Sequence, residues 1–246
     1  MKPKISIVVP AFDEQERLGP SLDKILAFAA ASKEPIELIV VDDGSSDNTA
    51  DIARSASAKF PEVSSKVVRY DENRGKGFAV KTGLLAAVGD YAVFSDADLS
   101  TPIEELTKLV DPIEADEYDV TFGSRAIDRS LIGTHQPWRR EQGGRVINLI
   151  IKKMSGLDFM DTQCGFKAFN MSKFRPLLDV MTVDRFGFDV EFLFVAKYHG
   201  LRLCEIPVRW NDVAGSKVSA IRDTRRMISE LNQIRRNAKS GVYDLK

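Results

Sequence analysis

Two cysteines and two histidines are all that this chain of 246 residues holds of the thiolate and imidazole metal ligands. Cys164 and Cys204 are too far apart for a C-x-x-C pair and too few for a disulfide framework, so both are expected to be reduced and structural. His135 and His199 share no spacing with other ligands, and His199, in Tyr198-His199-Gly200, reads as a helix end. A net charge of −1 excludes a chain that wraps nucleic acid by electrostatics alone. No stretch approaches the ~20 apolar residues that cross a bilayer. The N-terminal run in MKPKISIVVPAF is too short for a signal peptide and ends at Pro10. Together these absences predict a cytoplasmic chain whose contact with membrane, at the inner face, is peripheral. Neither a G-x-x-x-x-G-K-[ST] phosphate loop nor a G-x-G-x-x-G dinucleotide fingerprint is present.

What is present is an ordinary globular composition, 43% hydrophobic and 29% charged, with a clear rhythm in its first half. Apolar β-prone runs at 5–9, 36–41, 67–70, 91–95 and 119–122 alternate with helical patterns. The helices are expected from Leu18 to Ala29, over 49–59, from Gly77 to Val88 and from about Ile103 to Glu114. That alternation predicts an α/β, doubly wound, mostly parallel sheet with helices on both faces. Beyond Arg125 the rhythm breaks: a loop over 127–136, a basic amphipathic helix over 137–155, and short strands at 157–161 and 165–170. Helices over 173–181 and 189–198, a strand over 203–210 and a last helix over 221–237 complete the chain. With no repeat, low-complexity tract or long linker, a single domain over 1–246 is expected.

Carboxylates gather at the strand ends. Asp96 and Asp98 follow the 91–95 strand, at the edge where open α/β sheets bind ligands. On an extended segment two side chains at i and i+2 point the same way, so the pair can face one cation. Oxygen-only ligation suits Mg²⁺ or Mn²⁺, and a cation bound to a diphosphate would relieve the repulsion of the two acids. The pair can equally cap a helix or sit in a solvated turn. Asp42 and Asp43 can accept hydrogen bonds from a nucleobase or ribose, or form an Asx turn and N-cap. Arg74 and Lys76 flank glycines at a helix start and can meet a phosphate there, or be solvated. Asp189 and Glu191 open another helix, either as catalytic carboxylates or as charges favoured by the macrodipole. The 137–155 segment, with Arg139, Arg140, Arg145, Lys152 and Lys153 beside Trp138, Ile147, Leu149, Ile150 and Ile151, reads as a membrane-surface helix or as a core helix with a basic face.

The motifs VVPAFDE, VVDDGSSDNT, ENRGKGFAVKTGL, SDADLS, GSR, DTQCGFKAF, FGFDVEFLFVA and EIPVRW…GSK, taken in order, resemble glycosyltransferase family 2. The likeness runs from about Ile5 to Asp223 and is strongest to the branch that glucosylates dolichyl phosphate and its bacterial polyprenyl-phosphate counterparts. It implies the GT-A fold and inverting transfer of a hexose from a nucleoside diphosphate, with UDP-glucose the favoured donor and a polyprenyl phosphate the acceptor. It divides the chain into a nucleotide-sugar half, 1–125, and an acceptor half, 126–246. By resemblance, Pro10, Ala11 and Glu14 border the base and ribose, and Asp43 binds the base. Asp96 faces the sugar–ribose side, and Asp98 is the main metal ligand. Arg125 faces the acceptor phosphate, joined by Arg209 and Lys217; Arg139, from the basic run of the 137–155 segment, is a further candidate for that phosphate. Ser100 stands where mannosyl relatives often carry Gln, which argues against GDP-mannose, and the membrane helix that precedes eukaryotic members is not seen here.

The implied chemistry is in-line displacement at the anomeric carbon. A polyprenyl-phosphate oxygen is already anionic and needs orientation by Arg125, Arg139 and Arg209 rather than a base. A sugar hydroxyl needs a general base, and Asp189 is then the candidate. Two other classes compete: a D-x-D phosphohydrolase with Asp96 as nucleophile, and an inactive nucleotide-binding module.

Overall fold

A computed structural model describes residues 2–213 and 220–245, and, on its helices, not the side chains of 139–140 and 220–224. Seven strands form the main sheet: β1 (Ile5–Ala11), β2 (Ile36–Asp43), β3 (Ser64–Tyr70), β4 (Tyr91–Ser95), β5 (Val120–Ser124), β7 (Phe166–Asn170) and β8 (Leu203–Pro207). A second, two-stranded sheet joins β6 (Ile132–Thr134) to β9 (Trp210–Asn211). The strand order is β3-β2-β1-β4-β7-β5-β8. All neighbours run parallel except β7, which is antiparallel to both β4 and β5. Every residue of β1 and β2 is buried, as their β-branched runs require of strands covered on both faces.

Helices α1 (Leu18–Ala31), α2 (Thr49–Ala58) and α4 (Leu106–Glu114) cover one face. On the other lie α3 (Lys76–Ala86), α5 (Trp138–Ser155), α6 (Met171–Leu178), α7 (Phe188–Tyr198) and α8 (Ala220–Lys239). Alternation in β1 shows how both cores are fed: Ile5, Ile7 and Val9 point to the first layer and Val8 to the second. The second layer is aromatic, with Phe169 stacked on Phe174 at 4.2 Å and edge-on to Phe192 at 6.1 Å.

The first-half pattern forms as the sequence predicts. Three expectations for the second half need correction. Residues 157–161 are not a strand; Leu157 is a buried anchor after the left-handed Gly156 that ends α5, and Asp161 is fixed by side-chain bonds. The expected 203–210 strand is two. Pro207, which has no N–H to extend a ladder, ends β8, and the chain leaves the sheet before β9 pairs with β6. The loop expected over 127–136 contains β6, a strand of three residues too short for a periodicity signal.

Candidate active site

The chain runs outward from β1 to β2 and β3, then crosses back to β4 on the other side of β1. The crevice beyond the carboxyl ends of β1 and β4 is therefore the topological switch point of the sheet. Two non-glycine residues in left-handed conformation flank it, Asp13 after β1 (φ 50°) and Leu99 after β4 (φ 49°). Such strain persists only where surrounding bonds hold it. Asp13 Oδ1 accepts from Ser46 N at 2.9 Å, and Leu99 N closes a turn onto Asp96 O at 3.2 Å.

That turn corrects the extended D-x-D geometry. Asp96, Ala97 and Asp98 bend, so the two carboxylates are placed by the turn and not by strand alternation. Asp98 Oδ1 accepts from Ser100 N at 3.0 Å, and its Oδ2 lies 4.0 Å from Arg17. Arg17 also clasps Glu14 with two bonds of 2.7 and 2.8 Å, which joins the β1 and β4 ends. Asp96 Oδ1 pairs with Lys76 at 2.6 Å and, though buried, accepts no well-aligned hydrogen bond. Burial works against the Lys76 ammonium, but Asp96 and Asp189 outweigh it and raise its pKa. The Asp96 carboxylate rests directly on Gly165: a Cβ there would lie 2.0 Å from Oδ2.

Pro10 and Ala11 are buried in β1, at the crevice floor. Asp42 and Asp43 divide their work. Asp43 accepts from Arg74 N at 2.8 Å and Gly75 N at 2.9 Å, tethering the 73–77 loop at the start of α3. Asp42, expected at the nucleotide, is fully buried, accepts from Ser45 N at 3.0 Å and lies 3.3 Å from Arg69. The structure thus gives Asp42 the Asx-turn role and no surface for a ligand. Arg74 stacks its guanidinium 3.5 Å over Phe78.

On the second-half side, Arg125 is gripped by Asp161 through Nε at 2.6 Å and Nη2 at 2.7 Å, with Trp210 5.6 Å from its guanidinium. Burial raises the Asp161 carboxyl, yet Arg125 more than reverses this and holds it below the ordinary range. Cys164 is buried beside them, and burial, with Asp161, pushes its thiol up to about 12. Arg209, half exposed, pairs with Glu105 at 2.5 Å. The side chain of Arg139, on α5, and the whole of Lys217 fall outside the described residues.

Asp189 is not a free carboxylate. Its Oδ1 lies 2.5 Å from the ammonium of Lys167, a fully buried lysine on β7 that also donates to Cys164 O at 2.6 Å. Burial raises the Asp189 pKa in spite of Lys167 and Lys76. Lys167, Asp161 and Arg17 are the site residues that the sequence reading missed. A lysine inside the apolar strand GFKAF was the available signal, because lysine is almost never fully buried unless paired.

Among the described residues no three His, Cys, Asp or Glu side chains come together to hold a metal. A carboxylate pair is nonetheless a suitable donor set for a cation such as Mg²⁺, which keeps waters and takes the rest of its shell from substrate phosphates. Asp96 Oδ1, which takes part in an ion pair but accepts no well-aligned hydrogen bond, and a partly exposed Asp98 fit that description.

The fold is a GT-A-like doubly wound sheet with a carboxylate-lined crevice at its switch point, the place where such sheets bind their ligands. The sequence model of Glycosyl transferase family 2 matches residues 6–178, and the chain belongs to that family; it is a glycosyltransferase, which sets aside the phosphohydrolase reading. It is 31% identical over 252 residues to a dolichyl-phosphate beta-glucosyltransferase of Dictyostelium discoideum, covering 98% of this chain and 77% of the relative. The enzyme of the same description from Drosophila melanogaster is 35% identical over 229 residues, covering 88% and 69%. Among solved structures, glucosyl-3-phosphoglycerate synthase of Mycobacterium tuberculosis, in complex with Mn²⁺, UDP and its product, superposes with a TM-score of 0.69 at 19% identity over 95% of this chain and 80% of that one. That likeness establishes the GT-A fold.

Proposed function

We propose that the chain transfers glucose from UDP-glucose, with inversion, to the phosphate of a polyprenyl lipid of the dolichyl kind. The observation that carries the acceptor is the buried Asp189, held by the Lys167 ammonium at 2.5 Å. An acceptor hydroxyl would need a base able to take its proton, and Asp189 is engaged. A phosphate oxygen arrives anionic. The names of the relatives aligned along almost the whole chain support the glucose and the lipid.

Asp43, through the 73–77 loop it tethers, Glu14 and the β1 end would border the nucleoside. Asp98 and Asp96 would hold Mg²⁺ or Mn²⁺ together with the diphosphate, and the chemistry that ion supplies is neutralisation of the leaving group. Lys76, at the N-terminus of α3, adds a cation on the same side, with the positive end of the helix dipole behind it. Arg125, held rigid by Asp161, would orient the acceptor phosphate. Its oxygen forms the new bond to the anomeric carbon as the bond to UDP breaks and UDP leaves with the electron pair.

The test is a screen of UDP-glucose and GDP-mannose against a short prenyl phosphate and a sugar hydroxyl acceptor, read as nucleoside diphosphate released. Glucosyl prenyl phosphate from UDP-glucose alone is the expected product. Release with GDP-mannose only, or with the hydroxyl acceptor only, overturns the proposal.

A further inference from the structure

Helix α5 has two apolar sides. Ile147, Ile150, Ile151 and Met154 pack into the core, so three of the residues read from sequence as membrane-facing are instead structural. Trp138, Val146 and Leu149 point outward, with 72%, 59% and 67% of their surfaces exposed. At ~100° per residue these three fall on one stripe with Arg145 and Lys153, both also exposed. Nothing in the described residues covers them.

The helix that carries the stripe and its neighbour α8 are both rich in cations. The α5 sequence carries five Lys or Arg against one acid, and that of α8, packed along it, carries six against two. The whole chain is −1, so the rest of the molecule is acidic. A stripe of Trp, Val and Leu bordered by cations matches an anionic bilayer surface: the rings and methyls enter the headgroup boundary and the cations meet lipid phosphate.

The stripe is also wired to the site. Asn148, one residue before Leu149, donates through Nδ2 to the carbonyl of Met160 at 2.6 Å. Met160 is half exposed, and the next residue, Asp161, is the one that grips Arg125.

We infer that the outward face of α5, with Trp138, Val146, Leu149 and neighbouring Met160, seats the protein on an anionic membrane and so presents Arg125 to a phosphate carried by the lipid. Its purpose rests on the lipid-phosphate reading of the acceptor. Its test does not.

The experiment is flotation of the full chain with vesicles of phosphatidylcholine, with and without phosphatidylglycerol, at low and high salt. The parent is expected to float with the anionic vesicles, and less so as salt screens the cations. Val146→Glu with Leu149→Glu, at exposed positions, is expected to weaken partitioning by about tenfold or more. Emission of Trp138 should be quenched by brominated lipid in the unmutated chain, and Trp138→Phe should remove that signal. Absence of flotation, equal flotation of the double variant, or a dimer in solution that the double variant abolishes while vesicle binding is unchanged overturns the inference. Transfer to a short prenyl phosphate in solution separates the two claims. Activity there without flotation sinks the docking face alone, whereas flotation without activity supports it and sinks the acceptor.

Discussion

Asp96 and Gly165 meet so closely that one methyl group decides the geometry of the crevice. Since a Cβ would clash with both carboxylate oxygens, at 2.0 and 2.6 Å, Gly165→Ala must push Asp96 off Lys76 or lift the start of β7. The expected outcome is a fall in turnover of about 10²-fold, the scale of a one-ångström misplacement, with far less change in the denaturation midpoint. Asp98 offers a second test at this scale. Asn keeps the acceptor for Ser100 N and removes the charge. Asp98→Asn should therefore fold as the parent does, yet lose about 10²-fold or more in turnover. Titration calorimetry should show the parent taking up Mn²⁺ well only when UDP is present, because the described residues offer a carboxylate pair and no third acidic, His or Cys ligand beside it, and the variant taking it up poorly in either case. Strong binding of Mn²⁺ by the parent without nucleotide would contradict the account. The acids at these strand ends were legible in the sequence because a carboxylate next to a buried strand has few reasons to be there. The split between Asp42 and Asp43 was not: which adjacent residue turns inward depends on where Arg69 and the 73–77 loop arrive.

At the scale of elements, the parallel half was legible because each βαβ unit carries its own periodicity. The insertion of β7 was not, since nothing local in FKAFN says that it lies antiparallel between β4 and β5. Yet β7 brings in Lys167, which links the sheet to the first turn of α7 at Asp189. Lys167→Met strands a buried carboxylate and should cost about 3–5 kcal/mol of stability, as breaking a buried ion pair does. Lys167→Met with Asp189→Leu should regain most of that loss, because an apolar pair in the same volume needs no desolvation. Urea denaturation of the four proteins gives the coupling energy directly. If the double variant is as unstable as the sum of the singles, the two side chains do not act as a pair. Asp189→Asn, which leaves an acceptor for Lys167, tests chemistry instead. Transfer to a prenyl phosphate should drop only modestly, whereas a loss of ~10²–10⁴-fold would reveal a general base.

Across the whole molecule, stability should fail first on the acid side. Asp119, buried just before β5, is bound by Arg202 through two side-chain bonds of 2.9 and 3.1 Å and a backbone bond of 2.8 Å. Lys173 of α6 adds a third cationic contact at 2.6 Å. Asp119 therefore ties the sheet, α6 and the turn into β8 at the end of the molecule opposite the crevice. Arg202, and after it Lys173, hold its carboxyl far below the ordinary range despite its burial. A carboxyl whose folded pKa is depressed contributes stability that is complete above its unfolded value, about 4. That contribution shrinks as pH falls from there toward the folded pKa. Loss of binding to two cations at once should then loosen α6 and the turn into β8 together, although the β5–β8 ladder and the packing of α6 in the core remain. Urea midpoints measured from neutral pH down to about pH 3 should fall steeply for the parent below pH 4. Asp119→Asn should be less stable at neutral pH and show a flatter acid limb, the two curves converging as the parent is protonated. Parallel curves across the whole range would place the acid lability in other carboxylates.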